Sequence, residues 1–322
     1  MILVTGGNGF VGRAIVRALL NRGYRVRILT RRAESTRFGP SPAQVEVIEG
    51  DPFDPDTLDS AMEGVTGVIH LVGIIAENRR STFEKVHVEL TRLVVEAATR
   101  AGVARFLHMS AINTRADAPS RYHQTKFAAE QIVRTSSLNW TILRPSLIFG
   151  PGDGFISLFV RLMGLPFRQF PLIGDGSTRL QPIAVEDVAT GFAAALPNLE
   201  SIGQTIELVG QTVTYRDLVV EAGRAAGLNP VLIETPYPTA LIDIPLAILQ
   251  GARPAIFAVP PLLFRLIAWH WEILPLPFPA PITNDQITML LEDQLGDPSL
   301  MRDLLGIDPI PFADGLRRYL GK

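Results

Sequence analysis

Residues 1–20, MILVTGGNGFVGRAIVRALL, decide how the rest of the chain is read. Met1 to Val4 is apolar throughout, as a strand buried on both faces must be. Gly6, Gly9 and Gly12 follow at three-residue spacing, and Ile15, Val16, Leu19 and Leu20 then fall on one face of a helix. Each glycine has its own task in such a strand–turn–helix unit. Gly6 permits the tight turn, Gly9 lets a phosphate approach the backbone, and Gly12 lets the helix pack closely on the sheet. The free amides at the helix start, around Phe10 and Val11, and the positive end of the helix dipole then attract an anion without a lysine. A second apolar run, Tyr24 to Thr30, comes where a strand–helix–strand unit of roughly 30 residues places it, so the pattern predicts a dinucleotide pyrophosphate over the turn.

The chain has 322 residues, enough for one large or two ordinary domains whose cores need no disulfide. It has no cysteine, which removes disulfides, thiolate nucleophiles and Cys-ligated metal centres and fits a reducing compartment. No metal site is expected. Lys and Arg number 30 against 32 Asp and Glu, a net charge of −2, so no global basic field exists to hold nucleic acid. The first strand starts at Met1 without a cationic, apolar leader before it, which predicts a cytoplasmic protein.

Thr30 is followed by Arg31 and Arg32, where a fold selective for NAD would carry a carboxylate for the adenosine ribose hydroxyls. Two guanidiniums suit a 2′-phosphate instead, which points to NADP(H) ahead of NAD(H). Val45 to Ile48 reads as a third strand closed by Gly50-Asp51-Pro52, with Asp51 and Pro52 at the adenine edge and Asp54 capping a helix over Pro55–Met62. A fourth strand over Val65–Val72 brings Leu71, Val72 and Gly73 to its carboxyl end, the edge at which ligands of such sheets collect. His70 lies inside that apolar strand and reads as a core residue. Ser81 to Glu84 has the S-x-x-E spacing of a capping box opening a helix to Ala101.

Ala104 to Met109 is a fifth strand with Ser110 at its carboxyl end, and a helix then carries Tyr122 and Lys126. Four residues apart, these two share one helix face. An ammonium beside the phenol lowers a pKa that is ordinarily about 10 toward the range useful for proton transfer. Ser110 is placed to hold a substrate oxygen, and Glu130 reads as a structural partner of Lys126. Asn139 to Arg144 is a sixth strand stopped by Pro145, which returns the chain across the cofactor edge and brings Ser146, Leu147 and Ile148 near the nicotinamide.

The motifs TGGNGFVG, GDPFD, HLVG, YHQTK, LRPSLIFGPGD and QPIAVEDVA stand in the order of the short-chain dehydrogenase/reductase superfamily. The chain resembles its extended, NAD-dependent epimerase/dehydratase-like branch over about residues 1 to 230. HLVGIIAE, TFEKVHVELT and FLHMSA are most similar to the complex I NDUFA9-like accessory-subunit group. The resemblance implies NADP(H) on a Rossmann fold, Tyr122 as acid/base, Lys126 on the nicotinamide ribose and Ser110 beside the reacting oxygen. Ala111 and Ile112 stand where the family's dehydratases carry a carboxylate, which argues against dehydration.

The expected architecture is α/β. A Rossmann-type doubly wound parallel sheet, with helices on both faces, occupies residues 1–153, and a smaller mixed α+β substrate or partner lobe occupies residues 154–322. That lobe is expected to hold helices over Ile156–Met163, Val185–Leu196 and Tyr215–Ala226 and a strand over Thr205–Val209. An apolar, proline-rich block from about Thr239 to Thr283 contains Phe264, Trp269, Trp271 and Phe278, but Asp243, Arg253, Arg265 and Glu272 interrupt it too often for a membrane-spanning helix. It reads as lobe core, as the wall of a pocket for an apolar small molecule, or as a surface meeting a membrane or a partner subunit. Two functions follow. One is an NADPH-dependent oxidoreductase acting on a carbonyl or quinone-like apolar substrate. The other is a non-catalytic NADPH-binding accessory or assembly module of a membrane respiratory complex, peripheral to the inner face of the membrane. A sugar-nucleotide epimerase, with Arg161, Arg168 and Arg179 for the diphosphate, stands third.

Overall fold

The computed structural model describes residues 1–32, 44–164, 169–233, 255–273 and 282–321. The chain gathers into two compact units of three stretches each. The first takes Met1–Ser146, Val185–Val209 and Gly296–Pro309; the second takes Leu147–Ala184, Gly210–Leu295 and Ile310–Lys322. A single division after residue 153 therefore does not describe the chain, which leaves the first unit at Ser146 and returns to it twice.

Seven strands of the first unit form one parallel sheet: β1 (Ile2–Thr5), β2 (Val26–Thr30), β3 (Val45–Glu49), β4 (Gly67–His70), β5 (Arg105–Met109), β6 (Trp140–Pro145) and β7 (Thr205–Leu208). Their order is β7-β6-β5-β4-β1-β2-β3. The winding reverses between β1 and β4, and a crevice opens at the carboxyl edge of such a reversal. Helices α1 (Phe10–Asn21), α2 (Pro55–Met62), α3 (Leu90–Arg100), α4 (Arg121–Thr135), α5 (Val185–Ala195) and α6 (Ser299–Leu305) accompany the sheet. One core joins Leu3, Leu29, Val68, Phe106 and Ile142 of the strands to Leu58, Met62, Leu90 and Val94 of α2 and α3. Ile15, Val16 and Leu19 of α1 are buried as well, and α1 packs on α5.

Two elements differ from the sequence pattern. That pattern assigns α5 and β7 to the second lobe, whereas the structure places both in the first unit. The reason is pairing: Ile206 stands beside Leu143 in register, and Val188, Phe192, Ile206 and Leu208 are fully buried there. The helix expected from Ser81 starts instead after Thr82, runs through π-helical turns over Glu84–Glu89 and continues as α3. In place of a Ser81 capping box, Asn78 accepts from the amides of Arg80 and Ser81, and Thr82 accepts from Lys85.

At the amino edge of the sheet, where helices end and their last carbonyls lack intrahelical donors, arginines supply them. Buried Arg105 of β5 donates to Asn139 O, Thr141 Oγ1, Ala195 O and Ser201 Oγ at 2.5 to 3.0 Å. Arg27 of β2 reaches Ala61 O and Glu63 O at the end of α2, and Arg22 reaches Ala193 O in α5. Burial lowers the Arg105 pKa to about 10, which leaves it charged at neutral pH.

The second unit holds a three-stranded parallel sheet of Val231–Ile233, Ala255–Val259 and Gln169–Ile173, with helices over Ile156–Met163, Tyr215–Ala225, Pro261–Ile273, Asn284–Leu290 and Phe312–Leu320. Its core is aromatic: Phe149, Phe159, Phe170, Tyr215 and Phe312 are buried together. Of the apolar block, 239–254 and 274–281, Phe278 among them, lie outside the described residues. The helix Pro261–Ile273 buries Ala268 while Leu262, Leu266 and Trp269 are 68%, 53% and 57% exposed. No helix among the described residues is long and apolar enough to cross a membrane.

Arg105→Ala strips the donor from Ala195, Thr141 and Ser201, and is expected to cost about 3 kcal/mol in urea unfolding. Arg92→Ala, which breaks an exposed pair with Glu96, is expected to cost under about 0.5 kcal/mol. Equal losses in the two variants would contradict the role given to Arg105.

Candidate active site

Gly6 leaves β1 with φ at +76°, in the left-handed region that glycine enters without strain. A Cβ on Gly12 would stand 2.2 Å from the Gly6 carbonyl oxygen and 2.7 Å from Gly7 Cα. The first turn of α1 thus presses on the backbone of the turn itself, rather than on the sheet as the spacing suggests. Gly9 precedes α1, no side chain caps that helix, and no acidic residue stands in its first turn. Amides of Phe10, Val11 and Gly12 at an uncapped helix start fit an anion such as a pyrophosphate.

At the end of β2, Thr30 Oγ1 accepts from Asn8 Nδ2 at 2.9 Å and from the Arg32 amide at 3.3 Å, tying Arg32 to the glycine turn. Arg31 and Arg32 are exposed there. Asp51 follows β3, with one carboxylate oxygen accepting from Phe53 N at 3.1 Å and Pro52 half-buried beside it. Asp54 caps α2, and the Thr57 hydroxyl, then the amides of Asp56 and Thr57, hold its carboxyl below the usual range.

β4 ends at His70, earlier than the apolar run suggests, and Leu71 N still donates to Thr5 O at 3.2 Å. His70 is a satisfied core residue, with Thr5 Oγ1 at 2.7 Å and Thr91 Oγ1 at 3.1 Å. Leu71 and Val72 lie against the glycine turn: a Cβ on Gly6 would be 3.3 Å from Val72 N. A Cβ on Gly73 would be 3.6 Å from His87 Nε2 and 3.7 Å from Lys126 Nζ. Lys126 is buried, and its ammonium donates to Met109 O at the end of β5 at 2.7 Å. Burial pushes its pKa down to about 8 against the opposing charge of Glu130.

Ser110 is buried next to that carbonyl, its amide donating to Leu143 O at 2.8 Å and its hydroxyl lying 3.4 Å from Thr114 Oγ1. The Tyr122 ring is packed edge-on among Phe83, His87 and His123, with centroids 5.9, 5.3 and 5.2 Å away. Pro145 O accepts from Ile112 N at 3.0 Å, which fixes the segment after Ser110. Leu147 and Ile148 belong to the second unit. Glu130 does not bond Lys126. Its buried carboxylate takes Arg144 bidentately at 2.8 and 2.7 Å and Arg134 at 2.8 Å, and acts on Lys126 through its charge.

Sequence reasoning places Ser146 near the nicotinamide with Leu147 and Ile148, and passes over His87. The Ser146 hydroxyl, after β6, is buried without a partner among the described residues, a polar atom of the kind a bound ligand satisfies. His87, on the π-helical turns, lies among Gly73, Tyr122 and Lys126, and a histidine within an amphipathic helix gives no signal of that. Of the arginines considered for a sugar-nucleotide diphosphate, Arg179 is held by Asp293 at 2.9 and 2.6 Å, and Arg168 lies outside the described residues. No cluster of His, Asp or Glu suited to a metal occurs among the described residues.

A parallel sheet with a bare glycine turn at its winding reversal, and tyrosine and lysine on a helix near its carboxyl edge, defines a Rossmann-type nucleotide-binding protein. Residues 2–209 match the NAD dependent epimerase/dehydratase family, and the chain belongs to that family. NADH dehydrogenase (ubiquinone) 1 alpha subcomplex subunit 9, mitochondrial, of Arabidopsis thaliana is 31% identical over 302 residues, covering 91% of this chain and 70% of that protein. The ceramide reductase of Caulobacter vibrioides is 33% identical over 247 residues, 75% of each protein. DesIV, a dTDP-glucose 4,6-dehydratase from Streptomyces venezuelae with NAD and TYD bound, shares the fold at a TM-score of 0.71 and 22% identity, over 99% of this chain and 95% of that one. The family is described as NAD dependent, which supports a nicotinamide dinucleotide as the ligand class.

Lys126 has a pKa of about 8 in the folded protein against 10.5 in an unfolded chain, so the native state loses this proton first. Between those values the unfolded state binds more protons, and folding gains stability as the pH rises. The stability difference between wild type and Lys126→Met is therefore expected to shift in favour of wild type from about pH 8 to about 10.5 in urea unfolding. A flat difference would contradict a buried ammonium.

Proposed function

We propose that this protein is an NADP(H)-dependent oxidoreductase acting on the carbonyl of an apolar, lipid-like substrate, with Tyr122 as general acid/base. One observation carries the reading: the buried Lys126 ammonium is fixed by Met109 O at the carboxyl edge of the sheet, one helical turn from Tyr122 and beside the bare backbone of Gly73. A cation there favours phenolate and offers a donor to a ribose hydroxyl. The nicotinamide, when bound, supplies the hydride chemistry.

The chain's own residues supply the rest. Gly6, Gly9 and Gly12, with the amides of Phe10 and Val11, hold the pyrophosphate. Arg31 and Arg32 grip a 2′-phosphate, which gives NADP(H) its advantage over NAD(H). Asp51 and Pro52 border the adenine, and Leu71, Val72, Gly73 and Pro145 border the nicotinamide. Ser110 holds the substrate oxygen while Tyr122 gives or takes its proton. The likeness to a ceramide reductase supports a lipid substrate. So does the exposed stripe Leu262, Leu266, Trp269, whose helical spacing suits a membrane surface on the cytoplasmic side.

The second reading, a non-catalytic dinucleotide-binding module, draws on the likeness to a complex I subunit over 91% of the chain. Tyr122→Phe separates the two. Turnover with NADPH and long-chain ketones is expected to fall at least about 100-fold, with the NADPH dissociation constant changed less than about threefold. Nucleotide that stays bound and is oxidised by no ketone or quinone decides for the module. NADPH is expected to bind at least about tenfold tighter than NADH, with the advantage lost when Arg31 and Arg32 are both replaced by Ala; equal constants for the two nucleotides in wild type would remove the 2′-phosphate from the assignment.

A further inference from the structure

A π-helical turn sacrifices hydrogen-bond geometry, and such turns recur at functional sites. The turns over Glu84–Glu89 carry His87, which is buried. Its ring stacks on Phe83 at 5.3 Å and meets the Tyr122 ring edge-on at 5.3 Å and 87°.

The two ring nitrogens of His87 reach two separate segments. Nδ1 lies 2.9 Å from Thr125 Oγ1, a hydroxyl that also lies 3.0 Å from the Arg121 and Tyr122 carbonyls. Nε2 lies 3.2 Å from the Ile74 amide nitrogen and 3.1 Å from the Ile74 carbonyl oxygen. Burial, then the charge of Lys126, keep the ring neutral by holding its pKa down at about 3.

The bonds run from Ile74 through His87 and Thr125 to the Tyr122 carbonyl, joining the segment after β4 to the turn of α4 that carries Tyr122 and Lys126. We propose that His87 is a positioning residue, a neutral strut that fixes the Tyr122 ring on the helix face it shares with Lys126 and fixes the Gly73–Ile74 backbone beside them. Its effect on turnover rests on the oxidoreductase reading; its effect on the phenol does not.

The test is made on the protein without nucleotide. His87→Phe keeps a ring and removes both bonds, and His87→Gln keeps a hydrogen-bonding group near the Nε2 position. Tyrosinate absorbance is titrated from about pH 7 to about pH 11, across the ordinary phenol value, and Tyr122 is assigned by difference from Tyr122→Phe. Among the described residues, Lys126 shares the helix face of this phenol and the imidazoles of His87 and His123 meet its ring, with Arg115 and Arg144 acting on His123 and Glu130 committed to Arg144 and Arg134. His87→Phe is expected to raise the Tyr122 pKa by about one unit, a tenfold loss of acidity, and His87→Gln to recover part of it. A merely structural role lowers the melting temperature of both variants and leaves the phenol where it was, and that result overturns the proposal. So does an equal shift in the Phe and Gln variants. Failure of wild type to bind NADPH would instead remove the oxidoreductase reading, and the titration would still judge His87.

Discussion

Where α1 leaves the glycine turn, two stretches of backbone meet with no room for a methyl group between Gly12 and the Gly6 carbonyl. That contact fixes the start of the helix over the end of β1, at the point where the sheet's winding reverses. Because every strand is parallel, the helices that cross between them run the opposite way, and the two edges of the sheet acquire opposite electrical character. Helix amino ends collect at the carboxyl edge, where an anion is favoured. Helix carboxyl ends collect at the other, where Arg27 and Arg105 meet the last carbonyls of α2 and α5. The same polarity that suits a pyrophosphate at one edge demands cations at the other.

Buried charge in the first unit is handled in three ways. Glu130 is surrounded by two guanidiniums. Arg105 has neutral carbonyls and hydroxyls, which share out its donors without cancelling its charge. Lys126 has the Met109 carbonyl and no carboxylate within ion-pair distance among the described residues, so it holds its proton most loosely. Three histidines add no second cation, since burial holds His70, His87 and His108 well below their ordinary pKa, with Lys126 contributing to each. Among the described residues, the interior around the carboxyl edge therefore contains one exchangeable positive charge near neutral pH.

Features governed by a short repeat were legible in the sequence. The apolar run of β1, the three glycines, the Asp54 cap and the spacing of Tyr122 and Lys126 each depend on neighbours within one turn or one strand. Features governed by return of the chain were not. Strand β7 joins the sheet only after the excursion Leu147–Ala184, and nothing in Thr205–Leu208 says which edge it will find. Glu130 looked like a partner for Lys126 because helix spacing is visible, whereas Arg144 comes from β6. His87 escaped notice for a different reason: π-helical turns alter the residues per turn, so the α-helical phase read from α3 misplaces what precedes it.

The state of Lys126 bears on the choice between chemistry and scaffold. Holding that ammonium charged in the interior at neutral pH, with a pKa of about 8 instead of 10.5, costs the fold about 3 kcal/mol. An apolar side chain of similar length would avoid the cost, as replacement of buried charges by hydrocarbon often does. A module that only retained a dinucleotide has the glycine turn and the exposed arginines for its phosphates, and asks of Lys126 only a donor for a ribose hydroxyl, which an uncharged group can also give. A phenol that must release and recover a proton does need a cation, held close and weakly compensated so that its field is not cancelled. The unfavourable burial of Lys126 is thus intelligible as part of a proton-transfer site, and it is the feature that weighs most for an enzyme.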